Sequence, residues 1–455
     1  MLTDRPQNLE DVRTEIKARG IEFLFAQFVD MWGKPSAKLV PASHLDDFFN
    51  EGAGFAGFAA GEIGQGPHSA DMAAMPDPTS FTPVPWQPNL ARFACDIYVE
   101  GEPWPYCPRT ILRRELERAR KLGFVMKIGM EAEFFLLRDN NGKIELADPL
   151  DTLDRPCYDM KGLTRQYDFV TTLSRHQSEL GWDNYANDHE DANCQFESNF
   201  RYADALTTAD RIVFFRYMVH TLAQERGMLA TFMPKPFKHL TGNGCHMHTS
   251  LWDAETDAEL FVNPDDPRGF GHSELAYHFL GGMLEHAMSY IAVTAPTVNS
   301  YKRLKVGAPN SGATWSPVFV TYGGNNRTQM IRTPAPGRFE DRTVDGSCNP
   351  YLAATVVLAS GLDGVENKID PGEPNRDNLY EVPAEEIVRR GIRLLPGNLL
   401  DAIRNLVTDD VLRKALGTTD RGDYIDYFAQ VKETEWNEYH EQVSDWETKR
   451  YLGLF

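Results

Sequence analysis

Apolar and polar positions along "EFLFAQFVDMWGKPSAKLVP" (22–41) predict two short strands around a turn at Gly33. The stretch from Gly52 to Gly66 is rich in Gly and Ala and reads as a loop. "MPDPTSFTPVPWQP" carries five prolines, so it is extended or turning rather than helical. "CPRTILRRELERARKLGF" then opens a helix. Pro108 suits its first position, and Ile111, Leu112, Leu116 and Ala119 form one apolar face. A domain boundary is expected here, with residues 1–105 on one side and 106–455 on the other. Beyond it "VMKIGMEAEFFLLRD" reads as a buried strand. "SELAYHFLGGMLEHAMSYIAVTA" and "NPYLAATVVLASGLDGVENKI" each read as a helix, and Tyr424 to Tyr451 reads as one long charged helix studded with aromatics. Strands and helices do not alternate regularly, which favours an α+β fold over a doubly wound one.

Composition narrows the class. The 455 residues are 42% hydrophobic and 25% charged, ordinary for a globular chain with a large core. The net charge of -20 argues against nucleic acid or an anionic membrane as partner. The start, "MLTDRPQNLE", has no apolar signal region, and no apolar run approaches the ~20 residues that span a bilayer. None of the six cysteines forms a C-x-x-C pair. A reduced, cytoplasmic enzyme is the expectation.

The chemistry lies in same-face sets. Strand side chains repeat every two residues, so in "GMEAEFFLL" Glu131 and Glu133 share a face that apolar Phe135 continues. Two like charges there are unfavourable unless a cation lies between them; a solvated strand face is the plainer alternative, but Phe135 on that face counts against it and a metal role is favoured. In "KPFKHLTGNGCHMHTS", His246, His248 and Ser250 share a face, and Gly242 and Gly244 before them allow close backbone approach. This suggests a metal or phosphate site. "GRFEDRT" aligns Arg338, Glu340 and Arg342: a salt-bridge ladder, or a phosphate or carboxylate clamp around a metal ligand. "NNRTQMIR" adds Arg327 and Arg332. "NDHEDANCQFE" adds Glu190 and Glu197, which are seven apart and can converge only across a turn or bulge, or on a helix. Carboxylates with little imidazole suit Mg²⁺ or Mn²⁺ rather than structural Zn²⁺. Divalent cations with arginines are the parts of phosphoryl transfer, but no G-x-x-x-x-G-K-[ST] loop is present.

Taken in order, "FVDMWGKPSAKLVP", "MEAEFF", "HEDANCQFE", "KPFKHLTGNGCHMHTS", "NSYKRL", "NNRTQMIR" and "RFEDR" resemble the glutamine synthetase family along nearly the whole chain. The resemblance implies a small N-terminal β-grasp domain, a large catalytic domain and a homo-oligomer, a dodecamer of stacked rings in which a neighbour's small domain closes each site. Glu133, Glu190 and Glu197 would hold one metal. Glu131, His246 and Glu340 would hold the second. His248, Arg332 and Arg338 would face the phosphates of ATP, with Arg327 near the transferred group and Tyr202 and Ser250 toward the adenosine. Gly242, Arg303 and Arg342 would hold glutamate, with His246 beside them. The implied reaction runs through γ-glutamyl phosphate to an amide, with Arg327, Glu340, His246 and Arg303 at the reacting centre.

Two departures bear on the amine. Where ammonia-using members carry an Asp, "FAGFAA" has Ala56. Where they carry a flap Glu, "KVGAPNSGATWSPV" has Trp315 in a longer segment. An indole face suits an alkylammonium. The flap also resembles the branch holding γ-glutamylmethylamide synthetases and type III glutamate–ammonia ligases. Methylamine, giving γ-glutamylmethylamide, is therefore the expected amine. Ammonia is the alternative, in which case Trp315 is flap packing. A polyamine is a third possibility. A non-catalytic scaffold would be expected to have lost metal ligands, and all six candidates are present. Tyr380, in "NLYEVP", resembles a segment adenylylated in some members, but no regulation is expected there.

Overall fold

The computed structural model describes residues 5–305, 315–419 and 422–455. The flap positions 306–314 lie outside the described residues. The chain forms an α+β fold around two main sheets.

The predicted hairpin is present. Phe23–Val29 and Pro35–Pro41 pair antiparallel, with Gly33 in the turn at φ 76°. Asn349, the N-cap of a core helix, donates Nδ2 to the carbonyls of Asp30 (3.0 Å) and Met31 (3.3 Å). A Cβ on Gly33 would stand 3.2 Å from Asn349 Cα, so this turn docks on the second half of the chain. Phe23–Val29 also pairs parallel with Leu90–Val99, a nearly all-buried central strand that pairs antiparallel with Met72–Pro76. The expected 52–66 loop contains a short edge strand, Ala53–Phe55, whose backbone partners on Met72–Pro76 come from outside its own sequence.

Among the described residues the larger sheet has ten strands. Its main path runs Asn184–His189, Gln195–Phe200, Phe124–Asn140, Cys245–Asp253, Arg338–Asp341, Ile331–Ala335, Tyr322–Gly323. One face of the long strand Phe124–Asn140 sends Met126, Ile128, Met130, Ala132 and Phe134 into the core. The helices Ala205–Gln224 and Pro350–Asn367 supply much of that core, since both are apolar over most of their circumference. Pro108 does begin the helix Pro108–Lys121.

Two expected helices are interrupted. The 273–295 segment divides at His286 into Glu274–Glu285 and Ala287–Thr294. There the imidazole bonds Asp409 (2.8 Å) and Asp363 (3.1 Å). The C-terminal segment divides into Tyr424–His440 and Asp445–Tyr451, because Ser444 and Glu447 form a capping box that starts a new helix. Among the described residues, no helix is long and apolar enough to cross a membrane.

Candidate active site

Sheet register assembles the site. Glu133 stands opposite Glu197, which stands opposite Asp188. One pleat along, Glu131 stands opposite His246. Two residues further, His248 stands opposite Glu340, and Glu340 opposite Arg332. Side-chain alternation turns these rows to the face away from the core. Glu190 joins them across the turn that links its strand to Gln195–Phe200, where its N–H bonds the Gln195 carbonyl at 2.9 Å. The seven-residue spacing is thus reconciled by a turn.

Among the described residues, three groups of ligand atoms result, the atoms of each lying within 4.8 Å of one another: Glu133, Glu190, Glu197; Glu131, Glu197, His246; and Glu131, His248, Glu340. The first is the predicted set. For the second predicted set, His246 Nδ1 lies 3.8 Å from both Glu131 and Glu340 carboxylate oxygens. His248 reaches Glu131 at 2.9 Å, so it stands closer to a ligand position than the sequence implied.

The electrostatics follow from burial. Desolvation raises Glu133 to about 7, against pulls from the Gly244 N–H and from Arg303 and Arg342. Desolvation, then the neighbouring carboxylates, hold Glu190 and Glu197 well above the usual carboxylate range. Desolvation and Arg342 press His246 down to about 4, which leaves a neutral imidazole at neutral pH. Desolvation opposes the charge on Glu131 and Glu340 as well. The His248 and His246 contacts outweigh it at Glu131, and Arg342, the two histidines and Arg332 outweigh it at Glu340, so both are lowered. Crowded, desolvated carboxylates beside a neutral imidazole are a donor set that a hard divalent cation satisfies.

The glycines have specific neighbours. Gly244 N–H donates to Glu133 Oε2 at 2.8 Å, and a Cβ there would stand 2.9 Å from His246 Nε2. A Cβ on Gly242 would stand 2.3 Å from the Pro234 carbonyl and 3.0 Å from Arg303 Cγ. Both glycines therefore allow close packing around the ligands themselves.

A cavity of about 650 Å³ runs from Glu133 and Glu190 past Arg303, Arg327 and Arg342 to Trp315. Gly242, Glu131, Glu197, His246, Arg332 and Glu340 also line it. A second cavity, about 460 Å³, is lined by Glu131, Tyr202, His248, Ser250, Trp252 and Arg338. Glu131 thus borders both. Arg338 does not flank Glu340 as its spacing suggested. Instead Arg332 Nη1, from the adjacent strand, reaches Glu340 Oε2 at 2.6 Å, and Arg342 takes the other oxygen. Arg303 is buried and donates to the Thr343 carbonyl at 2.6 Å. Ala56 is exposed on the small domain and does not line the cavity. Tyr380 donates to the Ser316 carbonyl at 2.9 Å and packs on Phe319, which fits a packing role.

Sequence reading passed over Gln195, whose Nε2 reaches Glu133 (3.1 Å), the Gly242 carbonyl (3.0 Å) and Asn243 (2.8 Å). It also passed over Asp191, which accepts the Trp315 Nε1–H at 2.8 Å. Both lie inside "HEDANCQFE", where attention to polar neighbours of the glutamates would have found them.

Residues 20–100 match the glutamine synthetase beta-Grasp domain and residues 105–451 the glutamine synthetase catalytic domain, so the chain belongs to the glutamine synthetase family. Enzymes of this family are ATP-dependent and use divalent metals. Among individual relatives, the chain is 46% identical to a glutamate–methylamine ligase of Methyloversatilis universalis, over 97% of this chain and 98% of that one. It is 43% identical to a glutamine synthetase of Rhizobium meliloti, over 98% of this chain and 99% of that one. A solved GmaS/ADP complex is similar with TM-score 0.90 at 44% identity, covering 98% of this chain and 99% of that one.

Proposed function

We propose that this protein joins methylamine to the γ-carboxylate of glutamate at the expense of ATP, forming γ-glutamylmethylamide. The observation that carries the choice of amine is Trp315. It lines the same cavity as Glu133, Glu190, Arg303 and Arg327, and its ring is held by the Asp191 hydrogen bond. The Methyloversatilis universalis relative, a glutamate–methylamine ligase, supports the same reading.

The site's own residues suit two displacements. Arg303 and Arg342, with the backbone at Gly242, hold the glutamate carboxylates. A γ-carboxylate oxygen attacks the terminal phosphorus of ATP and ADP leaves. The amine nitrogen then attacks the acyl carbon of γ-glutamyl phosphate, phosphate departs and the nitrogen loses a proton. Arg327 and Arg332 supply fixed donors where charge accumulates on the transferring phosphoryl group. Tyr202 and Ser250, with His248 and Arg338, give the second cavity an aromatic and cationic lining suited to the nucleotide. Mg²⁺ or Mn²⁺, when bound by Glu133, Glu190 and Glu197 and by Glu131, His246 and Glu340, would supply further charge neutralisation there.

The division at 105/106 is supported by the small sheet, which lies within residues 23–103, and by the helix that starts at Pro108. Six free cysteines support a reducing, cytoplasmic location. Ala56, exposed and outside the cavity, fits a ring assembly, a dodecamer, in which a neighbouring copy completes the amine side.

Ammonia is the competing amine, and the Rhizobium meliloti relative is a glutamine synthetase. Steady-state kinetics with ammonia, methylamine, ethylamine and putrescine decide the matter. The highest kcat/KM is expected for methylamine. A preference for ammonia would reassign the chain as a glutamine synthetase.

A further inference from the structure

A separate cavity of about 180 Å³ lies where the small domain meets the catalytic domain, lined by Arg5, Arg92, Arg211, Ser80, Thr82 and Thr207 among others. Arg92 projects from the central small-domain strand and is 3% exposed. Its Nη2 donates to the Asp210 carbonyl at 2.8 Å, but its Nε and Nη1 are buried with no hydrogen-bond partner among the described residues. Arg211, on the catalytic-domain helix Ala205–Gln224, likewise buries an unpartnered Nε. Arg5 donates to Thr207 on the same helix.

Asp210 also lines the cavity, but its carboxylate and those of the nearby acids are committed elsewhere. Asp210 takes two bonds from Arg109, both 2.9 Å, and one from the Tyr351 hydroxyl at 2.7 Å. Asp77 accepts from Arg109 and Arg113. Asp204 caps its helix through the Thr207 N–H at 2.9 Å. Aromatic faces hold the two guanidiniums: Phe214 lies 5.1 Å from that of Arg92, and Trp182 lies 5.8 Å from that of Arg211. Buried guanidinium N–H groups without acceptors are costly, and a planar fork of such donors matches an oxyanion.

We propose that this cavity binds a small oxyanion, a phosphate or a carboxylate, which clasps the small domain to the catalytic domain. Its volume suits inorganic phosphate or a short dicarboxylate and is too small for a nucleotide. Because its walls come from both domains, occupancy favours the docked arrangement by mass action.

The test is calorimetric titration of the full chain with inorganic phosphate and, separately, with succinate. Wild type, Arg211→Gln and the active-site variant Arg332→Ala are compared. Saturable binding is expected in wild type and in Arg332→Ala, and binding weakened about tenfold or more in Arg211→Gln. The anion that binds identifies the source as phosphate or carboxylate. Thr82→Glu, which supplies a carboxylate inside the cavity, is expected to abolish binding of added anion and keeps the test open if Arg211→Gln misfolds. Undiminished binding in both variants, loss of binding in Arg332→Ala alone, or no binding of either anion up to about 10 mM would overturn the proposal.

Discussion

Chelated protein is expected to lose stability as pH rises from about 5 to about 8.5, and Glu133→Gln is expected to remove much of that loss. Burial raises the Glu133 carboxyl from 4.5 to about 7. A group raised in this way contributes stability that is fully present below its unfolded pKa and is lost as pH climbs through the folded value. The displacement corresponds to about 3 kcal/mol once the carboxyl is ionised in both states. Glu190 and Glu197 are raised too and add to the loss. Glu131 and Glu340 are lowered, so they stay ionised throughout the window and do not oppose it. His246, pressed from 6.5 down to about 4, does oppose it up to the ordinary histidine value, but equally in both proteins, so the Glu133 share is read from the difference between them. Glutamine keeps an oxygen for the Gly244 N–H at this position but carries no charge to desolvate. The assay is unfolding by heat and by urea at fixed protein concentration, with chelator, across the pH series and for both proteins. Added divalent cation should restore high-pH stability in wild type and much less in the variant, which should also be inactive. The same pH slope in wild type and in Glu133→Gln would refute the cation-site reasoning.

Arg332→Ala removes one of two guanidiniums on Glu340 and is expected to lower kcat by about 10²-fold, with the loss read in ATP-dependent turnover; a change confined to the glutamate KM would reject that placement. Trp315→Ala removes an aromatic face and is expected to shrink a roughly tenfold methylamine-over-ammonia preference in kcat/KM, and an unchanged ratio clears the residue. Burial opposes a charge on His286, but bonds to Asp409 and Asp363 outweigh it and raise its pKa, while Asp409 is lowered. The His286 contribution is therefore full below the ordinary histidine value and lost as pH rises through the raised one, and that of Asp409 is lost as pH falls through its lowered one. Thermal unfolding of His286→Gln should show a deficit of about 1–3 kcal/mol at pH about 5–6 that narrows toward alkaline pH.

Much of the site was legible because strand periodicity is local. Glu131 with Glu133, and His246 with His248, share a face by spacing alone, and Pro108 marks a helix start by its fixed φ. The family's motifs, spread in order along the chain, carried the fold and marked the glutamates and histidines that the sheet brings together. Register was not legible. That Glu131 faces His246 while Glu340 meets Arg332 rather than Arg338 depends on which strands become neighbours, and backbone hydrogen bonds make that choice between segments far apart in sequence. Burial was not legible either. Glu133 and Glu131 are two residues apart on one strand face and both are desolvated, yet one carboxyl is raised and the other lowered, because contacts with His248 and His246 outweigh burial only at Glu131. The sequence by itself determined which residues carry charge and which face of each strand they occupy. Tertiary structure alone decided which charges meet and how much water they lose, because Coulomb energy and desolvation depend on distances through space.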